Sequence, residues 1–485
     1  MIDYIIVGGG GSGVPLASRL SSDPGVSVVL VEAGRAPVEA TAFDPELLNA
    51  GSLRAAGHGH PANWSWPAHL LPDRPWMIAR GRSLGGSSAT NGGYFVRPTA
   101  EDFEAWAQSG SEWTYERSLP FLRRLESDLD FGDSPLHGSA GPMPVARPAQ
   151  DHPITQAFAA AAAKLGHAFE ADKNGAMAPG YGPLPMNVVD GVRWNTAMAY
   201  PLDGVSMLTD TLVRRIVFQG TRAVGIETDA GEIIRGRQVV LCAGAISSAH
   251  LLLRSGVGPA DQLRDSGIAV VHDSPGVGAS FSDHPQVAVE WYARRDLTAP
   301  PTIMASSLDA GAAEYVPLLS PVSALLGHSG DDRLTLLIGL QWSASRGTIT
   351  ISSRAASPHI AYNYLSEPGD VALLRDAVRG GAGLVAAFDG LFDRFANIDA
   401  RVLADDSLLD AWIRAHVGTA QHLSGSAQFG PPGDRRVVDQ YGRVEGVSGL
   451  RVADTSILPT VPHRGTAATA VLIGERIADF IQRGL

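Results

Sequence analysis

The chain opens on a short continuous apolar run, Ile5-Ile6-Val7, too brief for a helix and β-branched enough for a strand buried on both faces. A glycine-rich stretch, residues 8–13, interrupts it, and residues 14–20 then read as a helix. Val26-Ser27-Val28-Val29-Leu30-Val31 repeats the strand pattern, so the first thirty or so residues predict one βαβ unit. Farther along, residues 212–218 and 223–227 predict paired strands, and residues 239–244 a buried strand running into a loop. Residues 157–165, five of them consecutive alanines, predict a packed helix, alanine being the best helix former. Val471, Ile473, Ile477 and Ile481 recur near the helical period and predict a terminal helix within residues 465–485. No internal repeat is visible.

The glycine loop changes this from a fold prediction to a chemical one. Gly8, Gly10 and Gly13 fit G-x-G-x-x-G between a strand and a helix, and Glu32 ends the second strand 19 residues after Gly13. Gly8 would permit the tight turn, Gly10 the approach of a pyrophosphate to the backbone, and Gly13 close helix packing. Free N–H groups at the helix start would meet the anion. Glu32 would accept from ribose hydroxyls and repel a 2′-phosphate, leaving FAD or NAD.

A second glycine and serine loop follows, Gly81-Arg82-Ser83-Leu84-Gly85-Gly86-Ser87-Ser88-Ala89-Thr90-Asn91-Gly92-Gly93-Tyr94-Phe95-Val96-Arg97-Pro98, rich in backbone donors and small enough to lie against a planar ligand. It resembles the first motif of the glucose-methanol-choline (GMC) oxidoreductases, in which this loop lies along a flavin. Gly244-Ala245-Ile246-Ser247-Ser248-Ala249-His250-Leu251 is similar to the family's second motif, with Ala249 where proline is usual. Trp113, His137-Gly138, Gly141-Pro142, Pro275-Gly276-Val277-Gly278 with Asp283-His284, Ser345-Arg346-Gly347 and the segment from Gly449 to Pro459 follow in family order. The likeness spans nearly the whole chain and is weakest over residues 286–340.

The resemblance implies an α/β fold: a Rossmann-like FAD-binding domain of the GMC type, discontinuous over residues 1–150, 200–284 and 430–485. A sheet-based α+β substrate-binding lobe would take residues 151–199 and 285–429. It implies cofactor contacts by Gly8, Gly10, Gly13, Glu32, Arg82, Gly86, Ser87, Asn91, Gly92, Val213, Ala243, Gly244, Asp454 and Thr466. It implies that FAD takes hydride from an alcohol carbon. Thr90 stands where some members carry a histidine bonded covalently to flavin, so non-covalent FAD is expected.

Hydride removal is easier when a base takes the hydroxyl proton, and histidine suits that task. Among 14 histidines, His422 in Gly418-Thr419-Ala420-Gln421-His422-Leu423-Ser424-Gly425-Ser426 matches the family's base. The family's second catalytic position, commonly histidine or asparagine, lies ten residues before the glutamate of the last helix; counting back from Glu475 gives Gly465. Three expectations stay open: His463 reaches the site from its own turn, one histidine works alone, or Arg464 supplies charge to an acidic substrate group. Asp283-His284 reads as framework, Cys242 as a small buried hydrophobe, and the His58 and His60 pair as an exposed loop short of a third metal ligand. No metal is expected. Trp291, Tyr292, Tyr315 and Trp342 suit either a pocket or a core, and residues 296–325 either a cover or a partner surface.

Composition narrows the class. Fifty acids against 38 bases, a net charge of −12 with no basic run, argue against nucleic acid as a partner. The single cysteine excludes an internal disulfide, and the chain start lacks the pattern of a signal peptide, so the cytoplasm is expected. No stretch reaches the roughly 20 apolar residues of a membrane span. The expected partner is an alcohol or a reduced redox carrier, with the electron acceptor open. The expected activity is that of a dehydrogenase, with an oxygen-using alcohol oxidase or a hydroxynitrile-lyase-like enzyme as alternatives. His422 to Ser426, Asp454-Thr455-Ser456 and His463-Arg464-Gly465 look similar to the mycofactocin-associated branch of the family.

Overall fold

Strand Ile2–Val7 lies near the middle of a seven-stranded sheet, where its last three side chains are shut off from solvent on both faces. The computed structural model describes residues 1–37, 42–431, 433 and 436–485. The strand pairs in parallel with Val28–Val31 on one side and Ile233–Leu241 on the other, as buried β-branched runs joined by a helical crossover must. Val205–Leu208 extends the sheet beyond Val28–Val31, and Leu450–Val452 adds a parallel strand beside Ile233–Leu241. The outer half of Ile233–Leu241 continues into an antiparallel meander through Arg222–Thr228 to Val213–Gln219, the pair expected from the sequence. Helix Gly13–Ser21 and the terminal helix Ala467–Gln482 pack against each other beside this sheet. Arg19 of the first helix and Glu475 of the second, 456 positions apart, form an ion pair at 2.9 Å.

A second seven-stranded sheet is wholly antiparallel. Its order is Phe392–Phe395, Pro285–Ala293, Leu334–Leu340, Ala313–Pro317, Ser306–Ala310 and Tyr181–Pro183, with Gly418–Thr419 also paired to Pro285–Ala293. Residues 306–317 form a hairpin inside this sheet, with all five residues of Ala313–Pro317 buried. A segment whose backbone is paired on both sides is no loose cover, which corrects that reading of residues 296–325 over this hairpin. Of the four aromatics expected in a pocket or core, Trp291 and Tyr315 are core, Trp291 edge-on to Phe388. Trp342 is half exposed. Helix Pro153–Lys164 occupies the alanine run. Among the described residues no helix is long and apolar enough to cross a membrane.

One buried ionic knot ties the N-terminal third together. The His137 ring lies 2.8 Å from Glu126, 3.0 Å from Asp128 and 2.9 Å from Asp172. Burial opposes its charge, yet bonds to Asp128, Asp172 and Glu126 outweigh that and push the imidazole up to about 10. Glu126, Asp128 and His137 sit close enough to hold a metal. Arg97 on Glu126 and Arg147 on Asp128 already supply cations to the same carboxylates, so the cluster is an ion-pair network. His58 and His60 line a surface cavity of about 320 Å³ with His328 and Glu46, and His60 lies 3.2 Å from Glu46.

Candidate active site

The glycine loop is built as tightly as its spacing suggests. Gly8 has φ +103°, and a Cβ there would lie 2.5 Å from the Cys242 carbonyl oxygen. A Cβ on Gly13 would come within 1.9 Å of the Gly8 carbonyl oxygen, so the first turn of the helix rests directly on the strand end. Gly10 differs: the nearest atom to such a position is the Gly86 Cα, 3.7 Å away. Conversely a Cβ on Gly86 would meet the Gly10 Cα at 2.7 Å, so the two glycine loops cross here. The start of the terminal helix completes the junction, with the Ala470 Cβ 3.4 Å from the Cβ position of Gly11. A flat or anionic ligand approaching Gly10 meets backbone rather than side chains.

Glu32 is buried, and its carboxylate accepts from the Gly9 and Gly34 N–H groups at 2.8 Å each. Burial raises it to about 7 despite those bonds, which leaves a carboxyl with unused lone pairs facing the loop. Arg82 stacks over Trp64 at 4.5 Å. The Ser87 hydroxyl accepts from Gly81 N–H at 3.1 Å, and the Asn91 side chain accepts from Gly93 N–H at 2.9 Å. Gly92 lies against Ile303 and Met304. Val213 is buried at the start of its strand. Ala243 caps helix Gly244–Arg254, and a Cβ on Gly244 would meet nothing within 4 Å. Asp454 accepts from Gly244 N–H at 2.9 Å and from the Ser248 and Ser456 hydroxyls, clamping that helix start to the C-terminal segment. Thr466 caps the terminal helix without a side-chain bond. Cys242 is buried, and burial holds its thiol well above the ordinary range.

The histidines come together by strand pairing. Pro285 pairs with Thr419 and Gln286 with Gly418, and Ser282 and Ser424 bridge one turn away, so residues 282–286 run antiparallel to 418–424. Between them Gln421 adopts φ +63° and turns His422 inward. The buried Asp283 carboxylate holds both histidine backbones, accepting from His284 N–H at 2.6 Å and His422 N–H at 2.8 Å. The Thr419 hydroxyl donates to it at 3.1 Å. The rings meet edge to face, His284 Nδ1 to His422 Nδ1 at 2.9 Å. His284 is therefore more than framework: it is a direct partner of His422, a pairing that a separation of 138 positions hides from any local motif. Burial, with Arg80 nearby, lowers His422 to about 3; burial and the neighbouring His422 and His463 hold His284 well below its usual value. Both rings are neutral at neutral pH.

Gly465 faces this pair. A Cβ at Gly465 would lie 3.5 Å from His422 Nε2 and 2.7 Å from the edge of the Tyr94 ring. His463 is held apart by other partners: its ring stacks on Trp342 at 4.2 Å, and Nδ1 lies 2.8 Å from Asp102, which also accepts its backbone N–H at 2.9 Å. Arg464 is buried against Glu170 and Asp309 and donates to the Lys173 carbonyl. That corrects the expectation of an acidic substrate group at Arg464, because its guanidinium is already consumed by two carboxylates and a carbonyl.

The GMC oxidoreductase pattern matches residues 2–286 and 343–474. A GMC-type oxidoreductase of Rhodococcus erythropolis is 38% identical over 99% of this chain and 98% of its own length. An oxygen-dependent choline dehydrogenase of Ectopseudomonas mendocina is 34% identical over 99% and 94%. The solved pyridoxine 4-oxidase of Mesorbium loti superposes with TM-score 0.91 at 27% identity, covering 100% and 99% of the two chains. A formate oxidase of Aspergillus oryzae superposes with TM-score 0.90 at 23% identity, over 100% and 98%, a likeness of fold.

Proposed function

This chain belongs to the GMC oxidoreductase family, an FAD-dependent enzyme acting on alcohol-type substrates, and we propose that it oxidises a CH–OH group with His422 as general base. The observation that carries the reading is the His284–His422 contact. The acceptor near the His284 ring is the Pro462 carbonyl, although His284 Nε2 makes no well-formed hydrogen bond. A proton on His284 Nε2 leaves its Nδ1 as acceptor, so His422 Nδ1–H donates and His422 Nε2 keeps its lone pair. That nitrogen lies beside Gly465 and the Tyr94 ring, 3.5 Å from the point where a Cβ on Gly465 would stand. It can accept a hydroxyl proton from an alcohol seated there, which eases departure of hydride from the same carbon. Bound FAD supplies the hydride acceptor.

The open backbone over Gly10 and the bare Gly244 support a pyrophosphate and adenosine along the first sheet, with Glu32 toward the ribose. Arg82, Gly86, Ser87, Asn91 and Gly92 would line the flavin, and Gly8, Gly13, Val213, Ala243, Asp454 and Thr466 would hold the walls of that site. Thr90 is buried and has no ring nitrogen, which supports non-covalent FAD. His463 is assigned to fixing the turn that carries Gly465, through Asp102 and Trp342. Residues 1–150, 200–284 and 430–485 form the FAD-binding domain in this reading, and 151–199 with 285–429 the substrate lobe. A dehydrogenase working in the cytoplasm, where its one thiol stays reduced, is the activity we favour.

The test is an anaerobic absorbance titration of the yellow protein with benzyl alcohol, choline and pyridoxine, followed by air or a quinone-like dye. Bleaching by one of them supports the reading, and the reoxidant that restores the colour separates dehydrogenase from oxidase. A yellow protein that no alcohol bleaches while it splits hydroxynitriles would replace oxidation with lyase chemistry.

A further inference from the structure

The point 3.5 Å from His422 Nε2 where a side chain at 465 would begin is already taken, because two carbons of the Tyr94 ring lie 2.7 Å from it. The ring is fixed at its far end: the hydroxyl donates to Glu314 at 2.8 Å, and Gln341 donates to the other Glu314 oxygen at 3.2 Å. Its flank packs on the apolar cluster that includes Met186, Ile303 and Met304. Glu314 is buried beside Asp309, Lys173 and Arg464, and burial with Asp309 pushes its carboxyl up to about 7. Tyr94 is thus braced on one side by carbon and on the other by a hydrogen bond inside an ion-pair network.

An alcohol oxygen in hydrogen-bond reach of His422 Nε2 sits beside Gly465, where its carbon has the Tyr94 ring as a neighbour, the ring edge being no more than about 6 Å from that nitrogen. A second carbon substituent directed at Tyr94 would meet the same ring atoms. We propose that Tyr94 is the specificity-determining wall beside His422, filling the space that Gly465 leaves and restricting the donor to primary alcohols, with Glu314 as the positioning residue that fixes the ring. This rests on His422 being the base that receives the hydroxyl proton.

The experiment compares anaerobic flavin bleaching by benzyl alcohol and by 1-phenylethanol in the wild type, Tyr94→Phe and Tyr94→Ala holoenzymes. Wild type and Tyr94→Phe, which keep the ring, should favour the primary alcohol by about tenfold or more. Tyr94→Ala should lose most of that preference. Glu314→Gln, which can still accept from the phenol, should keep the ratio, whereas Glu314→Leu should lower it with the flavin spectrum unchanged. A readout without substrate is a thermal double-mutant cycle: Gly465→Ala should lower the melting temperature when Tyr94 is present and much less in the Tyr94→Ala background. Additive shifts in that cycle, or an unchanged alcohol ratio in a bleachable Tyr94→Ala enzyme, overturn the proposal and leave the base intact. Wild-type flavin that neither alcohol nor choline nor pyridoxine bleaches would instead bring down the oxidation reading, and this proposal with it.

Discussion

The glycine-loop end and the histidine end of this molecule are built on opposite principles. At the first, Gly8, Gly10 and Gly13 fall within six residues, and their function is the absence of side chains: carbon added at Gly8 or Gly13 would strike backbone within 2.5 Å. At the second, His284 and His422 are 138 residues apart and act through side chains that meet only because two strands pair. A local motif fixes backbone geometry, whereas a pair of side chains drawn from distant segments needs the whole sheet to set its register. The first end should therefore fail by losing fold or cofactor, and the second by losing rate with the fold preserved.

The sharpest break is His422→Ala. Flavin should stay bound, and the rate of anaerobic bleaching by the best alcohol should fall about 10²- to 10⁴-fold in stopped-flow absorbance. An unchanged rate would remove the base from the mechanism.

His284→Leu tests whether the ring partner matters apart from the base itself. Losing one buried hydrogen bond of about 1–3 kcal/mol predicts a drop of roughly one to two powers of ten in kcat with KM little changed. A rate equal to wild type would return His284 to the framework role read from its sequence.

Gly13→Ala attacks the other end. The added carbon overlaps the Gly8 carbonyl, and overpacking of this kind costs about 1–3 kcal/mol, so the melting temperature should drop and flavin should be lost on gel filtration. The bleaching rate of whatever fraction stays yellow should be that of the wild type; a selective loss of rate would contradict the division between the two ends.

The smallest effects are in pH, and they differ in sign. His422, held at about 3, and His250, lowered to about 4 by burial and Arg254, stay neutral in the folded chain while the unfolded chain takes up protons below its ordinary value near 6.5. Stability should fall as pH drops from about 6.5 toward 4, less steeply in His250→Gln. His137 works the other way: its folded value of about 10 lies above the unfolded one, so its contribution is complete below about 6.5 and fades as pH rises toward 10. Urea melts at pH 5, 7 and 9.5 on wild type and His137→Gln would show this, the difference between the two proteins being smallest at pH 9.5.

The sequence by itself determined five of the first sheet's seven strands, the terminal helix and the glycine loop with Glu32, and it singled out His422, because each rests on a pattern no longer than a helix, a strand or a motif. Tertiary structure alone decided the partners. Strand pairing set His284 on His422, a hairpin buried in the second sheet brought Glu314 to Tyr94, and two acidic residues from distant segments consumed Arg464. Gly465 shows the limit most clearly. Its position in the chain announces a missing side chain, but which residue takes up the space depends on where a loop 371 residues earlier passes, and that is fixed by packing between layers rather than by any local preference of the chain.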